Sequence, residues 1–363
     1  MKEKRIRMIT FHTPKNYGAV LQAYSLMTFL KQYSPDVKVI DFNTPHLRSI
    51  YPLNSKPARM KAVPHYLLNL LLTGQKKRKY AKFERFIARR FDLTRRYESL
   101  EELRADPPEA DCYVTGSDQV FNPNRIAEER EAFCLNFGGE EIKRIAYAAS
   151  FGVKAIPEEK RQETAAALAG FQSISVREKS GVSIVQALTN KEPVETLDPV
   201  FLEDKAFWSE AAVPRPVGSE PYMLYYRLMG GKESDEAARR ASKKRELRLV
   251  VVTDGFLTWR ADTVLRDVGP LELLDLYKNA EYVATDSFHG VAFSLVFEKQ
   301  FLFTDHNPKL AERAVNLMER AGCAQCACLN GGTGDEHVDY TEVSATIGAL
   351  VERSKQFIEE ALA

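Results

Sequence analysis

The segment TDSFHG, residues 285–290, has the residue types of an anion-binding site. It lies between a strand pattern and an apolar helix pattern, and the N–H groups at the start of a helix attract negative charge. Asp286 or Ser287 could cap this helix, and Gly290 would let a ligand approach the backbone closely. Histidine titrates near neutral pH, so His289 could donate to an anion or exchange a proton with a substrate. A core histidine bonded to a neighbouring carbonyl is the alternative.

Three more polar loops follow strand patterns, so four loops would meet at the carboxyl ends of the strands, where open α/β sheets bind ligands. They are HTPKNYG at 12–18, TGSDQVFNP at 115–123 and SVREKSG at 175–181. Arg177 could hold a carboxylate or a phosphate with its planar guanidinium, or it could form a structural ion pair. Asp118 could act as a general base or orient a hydroxyl, or it could hydrogen-bond to its own backbone. Each loop alone is also ordinary turn chemistry.

Strand and helix patterns alternate in two successive runs, which predicts an α/β protein with two doubly wound, Rossmann-like domains facing a cleft. The best linker is the proline-rich stretch AAVPRPVGSEP, residues 211–221. We therefore expect an N-terminal domain at residues 1–213 and a C-terminal domain at residues 214–363, and the last helix could return to the first domain. A basic helical segment, residues 56–96, interrupts the first run as an insertion.

The composition is that of a soluble globular protein with few cysteines. The 363 residues carry 51 Lys and Arg against 50 Asp and Glu, a net charge of +1 that gives no general reason to expect nucleic acid. Five cysteines argue against a disulfide framework and for a reducing compartment. The first residues show no signal-peptide pattern, and the apolar run YLLNLLL, residues 66–72, is too short to span a bilayer. We expect a cytoplasmic protein.

Two further segments have alternative interpretations. The basic segment 56–96 contains YLLNLLL and QKKRKYAKFERFIARRF, which could lie on the inner surface of an anionic membrane. The alternative is a solvated basic face over a phenylalanine-lined core contact. Cys323, Cys326 and Cys328 have a spacing at which thiolates can share a metal. The end of a helix is the simpler explanation for them, so we expect no metal.

Six motifs, in this order along the chain, resemble the polysaccharide pyruvyl transferase family: ITFHTPKNYGAVLQAYSL, GSDQVFNP, AYAASFG, SVREKSG, LDPVFL and VATDSFHGVAFSLVFEKQF. The resemblance covers most of the chain. It implies a fold like that of GT-B glycosyltransferases and transfer of a pyruvyl group from phosphoenolpyruvate to two hydroxyls of a sugar, as a cyclic ketal. Phosphoenolpyruvate would be the donor substrate, and no cofactor is expected. The acceptor would be a lipid-linked oligosaccharide or another sugar of a cell-surface polysaccharide precursor.

The resemblance also implies roles for the candidate residues. His289 would be the acid or a phosphate contact, Arg177 would be an anion clamp, and Asp118, the third catalytic candidate, would line the cleft with the NYG loop. The other candidates would bind substrate: Asn16, Tyr17, Gly18, Gly116, Ser117, Arg227, Asp286, Ser287, Phe288 and Gly290.

One position departs from the family pattern. Better-characterised members have Arg-Leu-His where this chain has Ser-Phe-His, residues 287–289, so a cation for phosphate or carboxylate is missing. Arg227, or Lys309 and Arg313, could replace that cation. Two other functions therefore stay open: a glycosyltransferase that uses a nucleotide sugar, and a binding protein without catalysis.

Overall fold

Parallel strand pairs organise the chain into two α/β units in the computed structural model, which describes residues 4–50, 72–304, 308–328 and 336–363. The first unit comprises Met1–Tyr51, Ile87–Glu203 and Ala349–Ala363, and the second comprises Pro52–Phe86 and Asp204–Gly348. Each unit has its own parallel sheet with helices between the strands. The prediction of two Rossmann-like α/β domains is confirmed.

All strand pairs in the two sheets are parallel. The first sheet is built from β1 (Ile6–Ile9), β2 (Val37–Phe42), β3 (Leu93–Tyr97), β4 (Cys112–Thr115), β5 (Lys143–Ala149), β6 (Ser173–Val176) and β7 (Val194–Glu195). The second is built from β8 (Tyr222–Tyr226), β9 (Arg248–Val252), β10 (Thr263–Leu265), β11 (Tyr282–Thr285) and β12 (Gln300–Phe303). Central strands such as β1, β4, β8 and β11 are buried along their whole length, which explains their apolar runs.

Helices connect most successive strands, as is usual for parallel pairing, and an irregular loop connects β9 to β10. In chain order they are α1 (Tyr17–Leu30), α2 (Pro45–Ser49), α3 (Thr73–Arg90), α4 (Leu100–Ala105), α5 (Ala127–Phe133), α6 (Glu158–Ala169), α7 (Lys179–Leu188), α8 (Lys205–Ala211), α9 (Lys232–Lys244), α10 (Pro270–Asn279), α11 (Phe288–Val296), α12 (Pro308–Ala321) and α13 (Tyr340–Leu362). Within the described part of the chain, none of these helices has the length and apolar content needed to span a membrane.

The strand order reverses once in each sheet. Neighbours follow the order β3-β2-β1-β4-β5-β6-β7 in the first sheet and β10-β9-β8-β11-β12 in the second. The order therefore reverses between β1 and β4, and between β8 and β11. Open α/β sheets bind ligands at such a reversal, outside the carboxyl ends of the strands. TDSFHG begins with Thr285, the last residue of β11, so it lies at the reversal of the second sheet.

The basic helix α3 belongs to the second unit up to Phe86. The sequence instead predicts that this segment is an insertion in the first domain. The Nζ atom of Lys79 lies 2.7 Å from Oδ2 of Asp254. Lys79 is buried, and this burial lowers its pKa although Asp254 opposes the shift. Phe83 and Phe86 are buried as well. The helix thus turns its phenylalanines toward the protein, as the solvated-face alternative expects, and residues 66–71 lie outside the described residues.

The limits of the second domain differ from the expected 214–363 at both ends. The main segment of the second unit begins before the proline-rich stretch, because Trp208 packs edge-on against Phe293 with the ring centroids 5.3 Å apart. The C-terminal helix ends in the first unit, where the N–H of Leu197 donates to the hydroxyl of Ser354 at 2.9 Å. The last helix therefore returns to the first unit, as the sequence allows.

The close approach of α11 to β11 provides a test of this packing. A Cβ atom at Gly290 would lie 2.7 Å from Cβ of Thr285, closer than side-chain carbons approach in proteins. Gly290→Ala must therefore push the helix away from the strand, and such overpacking costs about 1–3 kcal/mol. We expect a lower midpoint of thermal unfolding for this variant.

Gly348→Ala is the matched control. A Cβ atom at this position of α13 would meet nothing within 4 Å. The control should leave the midpoint unchanged or raise it, because alanine favours a helix over glycine by about 1 kcal/mol. A wild-type midpoint for Gly290→Ala would contradict the described packing.

Candidate functional site

Asp286 joins the two loops that flank the reversal of strand order in the second sheet. Its Oδ1 accepts from the N–H of Leu228 at 2.6 Å, and its Oδ2 accepts from Met229 at 3.0 Å and from Gly230 at 2.5 Å. Asp286 is buried, and three hydrogen bonds from N–H groups offset the cost of burying its charge. Asp286 therefore fixes the loop after β8, and the N-cap of α11 is the next residue, Ser287.

The first turn of α11 carries His289. The hydroxyl of Ser287 makes no capping hydrogen bond, and the N–H of Ser287 donates to the Thr285 hydroxyl at 3.1 Å. His289 is partly buried, with its ring edge-on to Phe288 and the centroids 5.0 Å apart. Gly290 lets this turn pack directly on β11. The imidazole thus lies at the positive end of a nine-residue helix.

Arg227, which follows β8, is held in place by Asp235. Nε and Nη2 of the guanidinium lie 2.7 and 3.2 Å from the two carboxylate oxygens. Asp235 also accepts from the Tyr225 hydroxyl at 3.1 Å and from Nε1 of Trp259 at 3.0 Å. Burial alone would lower the pKa of Arg227, but Asp235 raises it above its usual value. Gly230 has a φ of +70° and no Cβ, so the loop can close over the guanidinium.

Arg266, which follows β10, is a second cation beside Arg227 that the sequence analysis does not identify. Its Nε donates to the carbonyl of Gly255 at 3.2 Å. A Cβ atom at Gly255 would lie 3.1 Å from Nη1 of Arg227, so both guanidinium groups contact this glycine. No carboxylate in the described part of the chain forms an ion pair with Arg266. Burial and the charge of Arg227 lower the pKa of Arg266, and Asp254 offsets this only in part.

Arg177, at the end of β6 in the first unit, is buried among carboxylates. Its Nη1 lies 2.5 Å from Oδ2 of Asp198, and the Ser117 hydroxyl donates to the same oxygen at 3.2 Å. Asp118 and Glu178 lie 3.9 and 3.8 Å from the other guanidinium nitrogens. Burial would lower the pKa of Arg177, but these three carboxylates raise it. Only 3% of the side chain is exposed, which favours a positioning role, and the role of anion clamp stays a prediction.

Asp118 keeps a partly exposed carboxylate on a strained backbone. Its φ of +73° is left-handed, a conformation that costs free energy outside glycine and occurs often at functional sites. Its carbonyl accepts from the N–H of Ser150 at 2.9 Å, and its Oδ1 accepts from Gln119 at 2.8 Å. Gly116 is required two residues earlier, because a Cβ atom there would lie 2.9 Å from Cβ of Thr10. A fixed and partly exposed carboxylate suits a general base.

The NYG loop begins α1. Asn16 is the N-cap, and its Oδ1 accepts from the N–H of Ala19 at 3.2 Å. Tyr17 and Gly18 are buried in the first turn of this helix. The cap formed by Asn16 therefore starts α1 at the strand-order reversal of the first sheet. Contact of these residues with a substrate stays a prediction.

The remaining candidates lie in or just after α12. Arg313 lies in α12, and the side chain of Lys309 lies outside the described residues. Cys323, Cys326 and Cys328 are buried near the end of α12, and a hydrogen bond with Cys323 together with burial raises the pKa of Cys326. Among the described residues no group of three or more His, Cys, Asp or Glu side chains could hold a metal ion.

The candidate residues thus form two groups of opposite chemical character, one in each unit. The second unit combines Arg227, Arg266 and the first turn of α11 with His289, which suits the binding of an anion and a proton transfer to it. The first unit places the carboxylate of Asp118 beside the buried Arg177 cluster, which suits the removal of a proton from a neutral group.

Comparison with solved structures supports the fold. A protein of Listeria monocytogenes named as a UDP-N-acetylglucosamine 2-epimerase shares 11% identity, with 99% of this chain and 91% of that chain covered and a TM-score of 0.50. The UDP-GlcNAc 2-epimerase of Neisseria meningitidis, solved with UDP-GlcNAc, shares 10% identity over 99% of this chain and 94% of that chain, with a TM-score of 0.47. At 11% identity, the match to the Listeria monocytogenes protein shows a fold of two Rossmann-like domains, as in GT-B enzymes, and nothing about the substrate.

Comparison with sequences identifies the family. No curated protein sequence matches the chain. The sequence model of the family described as polysaccharide pyruvyl transferase matches residues 16–308, a span that contains both groups of candidate residues. The chain therefore belongs to the polysaccharide pyruvyl transferase family.

Proposed function

We propose that this chain transfers the pyruvyl group of phosphoenolpyruvate to two hydroxyls of a sugar in a cell-surface polysaccharide precursor, as a cyclic ketal. The observation that carries the proposal is the group of positive features at the carboxyl edge of the second sheet. Phosphoenolpyruvate has a phosphate and a carboxylate. Arg227 and Arg266 could bind one of them while the first turn of α11 binds the other. Membership of the family supports the same donor.

The chemistry requires one acid and two proton acceptors. Two sugar hydroxyls form bonds to carbon 2 of the donor, and each loses its proton. One proton ends on the methylene carbon, which becomes a methyl group, and the other leaves with the phosphate as its C–O bond breaks. We assign the acid to His289 and the acceptance of a proton from a hydroxyl to Asp118. Arg177 positions Asp118, and the cations of the second unit stabilise the leaving phosphate.

The proposed acceptor is a lipid-linked oligosaccharide, so we place the protein in the cytoplasm with peripheral contact to the inner face of the membrane. The exposed basic side chains of α3, including Lys77, Arg85 and Arg89, are available for that contact. The phenylalanines in the described part of α3 are buried, so they are not available for insertion into the membrane.

Differential thermal stabilisation tests the donor. Phosphoenolpyruvate at about 100 times its Kd should stabilise the native protein by about 2.7 kcal/mol and raise the unfolding midpoint. UDP-N-acetylglucosamine and UDP at the same concentrations should raise it less. A midpoint raised by the nucleotides alone would favour a nucleotide-sugar glycosyltransferase. A response to none of them would favour a binding protein without catalysis.

His289→Gln tests the assigned acid. The amide keeps a similar size but cannot transfer a proton, so acceptor-dependent release of phosphate from phosphoenolpyruvate should fall by about 10²–10⁴-fold in kcat. His337→Gln is the control, because His337 is exposed and lies outside both groups of candidate residues. Undiminished turnover by His289→Gln would remove His289 from the mechanism.

Arg266→Gln tests the cation that the second unit places beside Arg227. Hydrogen bonds to charged groups contribute about 1.5–3 kcal/mol, so the Kd for phosphoenolpyruvate and for inorganic phosphate should rise about 10- to 100-fold. Arg260→Gln, an exposed arginine in the loop before β10, is the control and should bind as the wild type does. Calorimetric titration of both variants measures the difference, and equal Kd values would exclude Arg266 as an anion contact.

A further inference from the structure

His46 forms a hydrogen-bonded pair with a fully buried carboxylate at the carboxyl edge of the first sheet. It lies in α2, just beyond β2, with Nδ1 2.6 Å from Oε1 of Glu129. The side chain of His46 is 47% exposed, whereas that of Glu129 is 0% exposed. A carboxylate accepts only, so Nδ1 must carry the hydrogen of this bond. In the neutral ring Nε2 then has the lone pair, and it forms no hydrogen bond to a described residue.

Glu129 is fixed by two further donors. The Thr44 hydroxyl donates to Oε1 at 3.3 Å, and Nη1 of Arg125 lies 3.4 Å from Oε2. These contacts offset the cost of burying a carboxylate. Thr44 also caps α2 by accepting from the N–H of Leu47 at 3.1 Å. Thr44 already caps α2, so the helix does not need the contact between Glu129 and His46 in order to begin.

Arg125 connects this pair to the strand-order reversal between β1 and β4. Its Nε donates to the carbonyl of Gln119, directly after Asp118, at 3.0 Å. Its guanidinium also lies over the ring of Phe11, beyond β1, at 4.0 Å from the ring centroid. One side chain therefore contacts the loops on both sides of the reversal and the carboxylate that orients His46. Ligands of doubly wound sheets bind at this place.

We propose that His46 is a general base that takes the proton of an acceptor hydroxyl, with Glu129 and Arg125 as positioning residues. The inference rests on the proposed function, which requires two hydroxyls to lose protons and for which Asp118 accounts for only one. The O–H bond breaks, its electron pair forms the bond from oxygen to carbon 2 of the donor, and the proton moves to Nε2. The resulting imidazolium is stabilised by Glu129 and returns the proton to the departing phosphate.

His46→Gln tests the assignment in the whole protein. The assay measures phosphate released from phosphoenolpyruvate with methyl β-glycosides of galactose, glucose and mannose as acceptors. We expect kcat to fall about 10²-fold or more while the KM for phosphoenolpyruvate changes less than about twofold. His337→Gln should behave as the wild type does, and both variants should unfold at the wild-type midpoint. Wild-type kcat in His46→Gln would overturn the proposal.

A second measurement separates this inference from the proposed function. Wild-type protein that releases no phosphate with any of these acceptors would count against the proposed function, and carbethoxylation with diethyl pyrocarbonate at pH 8 would then decide on His46. The pair with Glu129 predicts that His46 reacts several-fold faster than His337, by peptide mass spectrometry, and loses this advantage in Glu129→Gln. Equal rates for the two histidines in the wild type would show that Glu129 does not activate His46.

Discussion

The carboxylate of Asp286 is the contact on which the geometry of the second unit depends. Three consecutive N–H groups, of residues 228–230, converge on it. Such a run of backbone donors would otherwise be a concave anion site itself. Because an internal carboxylate fills that place, the loop is fixed over Arg227, and Asp235 holds the guanidinium from the other side. The positive groups left at this edge are Arg266, Arg227 and the first turn of α11, and these are the ones that we propose for a substrate anion.

The first unit shows the opposite balance of charge. One buried guanidinium, that of Arg177, faces three carboxylates, and removing one partner of a buried pair typically costs about 3–5 kcal/mol. The surplus of negative charge disfavours a bound anion and favours the acceptance of a proton. Asp118 and the pair of His46 with Glu129 both lie at this edge, and both can accept protons. The two sheets thus differ in chemistry, because the edge of the second is cationic and the edge of the first can accept protons.

The sequence predicts the sheets better than it predicts the side-chain contacts. Alternating apolar strands and helices reveal both parallel sheets, and TDSFHG lies at a strand end as expected. Burial is harder to predict. The position of Arg177 after a strand suggests an exposed side chain that binds an anion, but carboxylates from three separate loops surround it. The three-residue β10 is too short for a periodic signal, so Arg266 gives none. The pair of His46 with Glu129 joins residues 83 positions apart, which no local pattern shows.

This chain has serine at residue 287, where the family pattern has an arginine. The order of the strands indicates which other arginine lies near that position. Arg266 cannot simply take the place of such an arginine, because three strand spacings of about 4.8 Å, or about 14 Å in all, separate β10 from β11. Arg227 follows β8, next to β11, and it also contacts the same glycine as Arg266. An anion held by the two arginines would therefore lie toward β9, leaving the first turn of α11 for a second negative group. A donor with two anionic groups fits that division better than a donor with one.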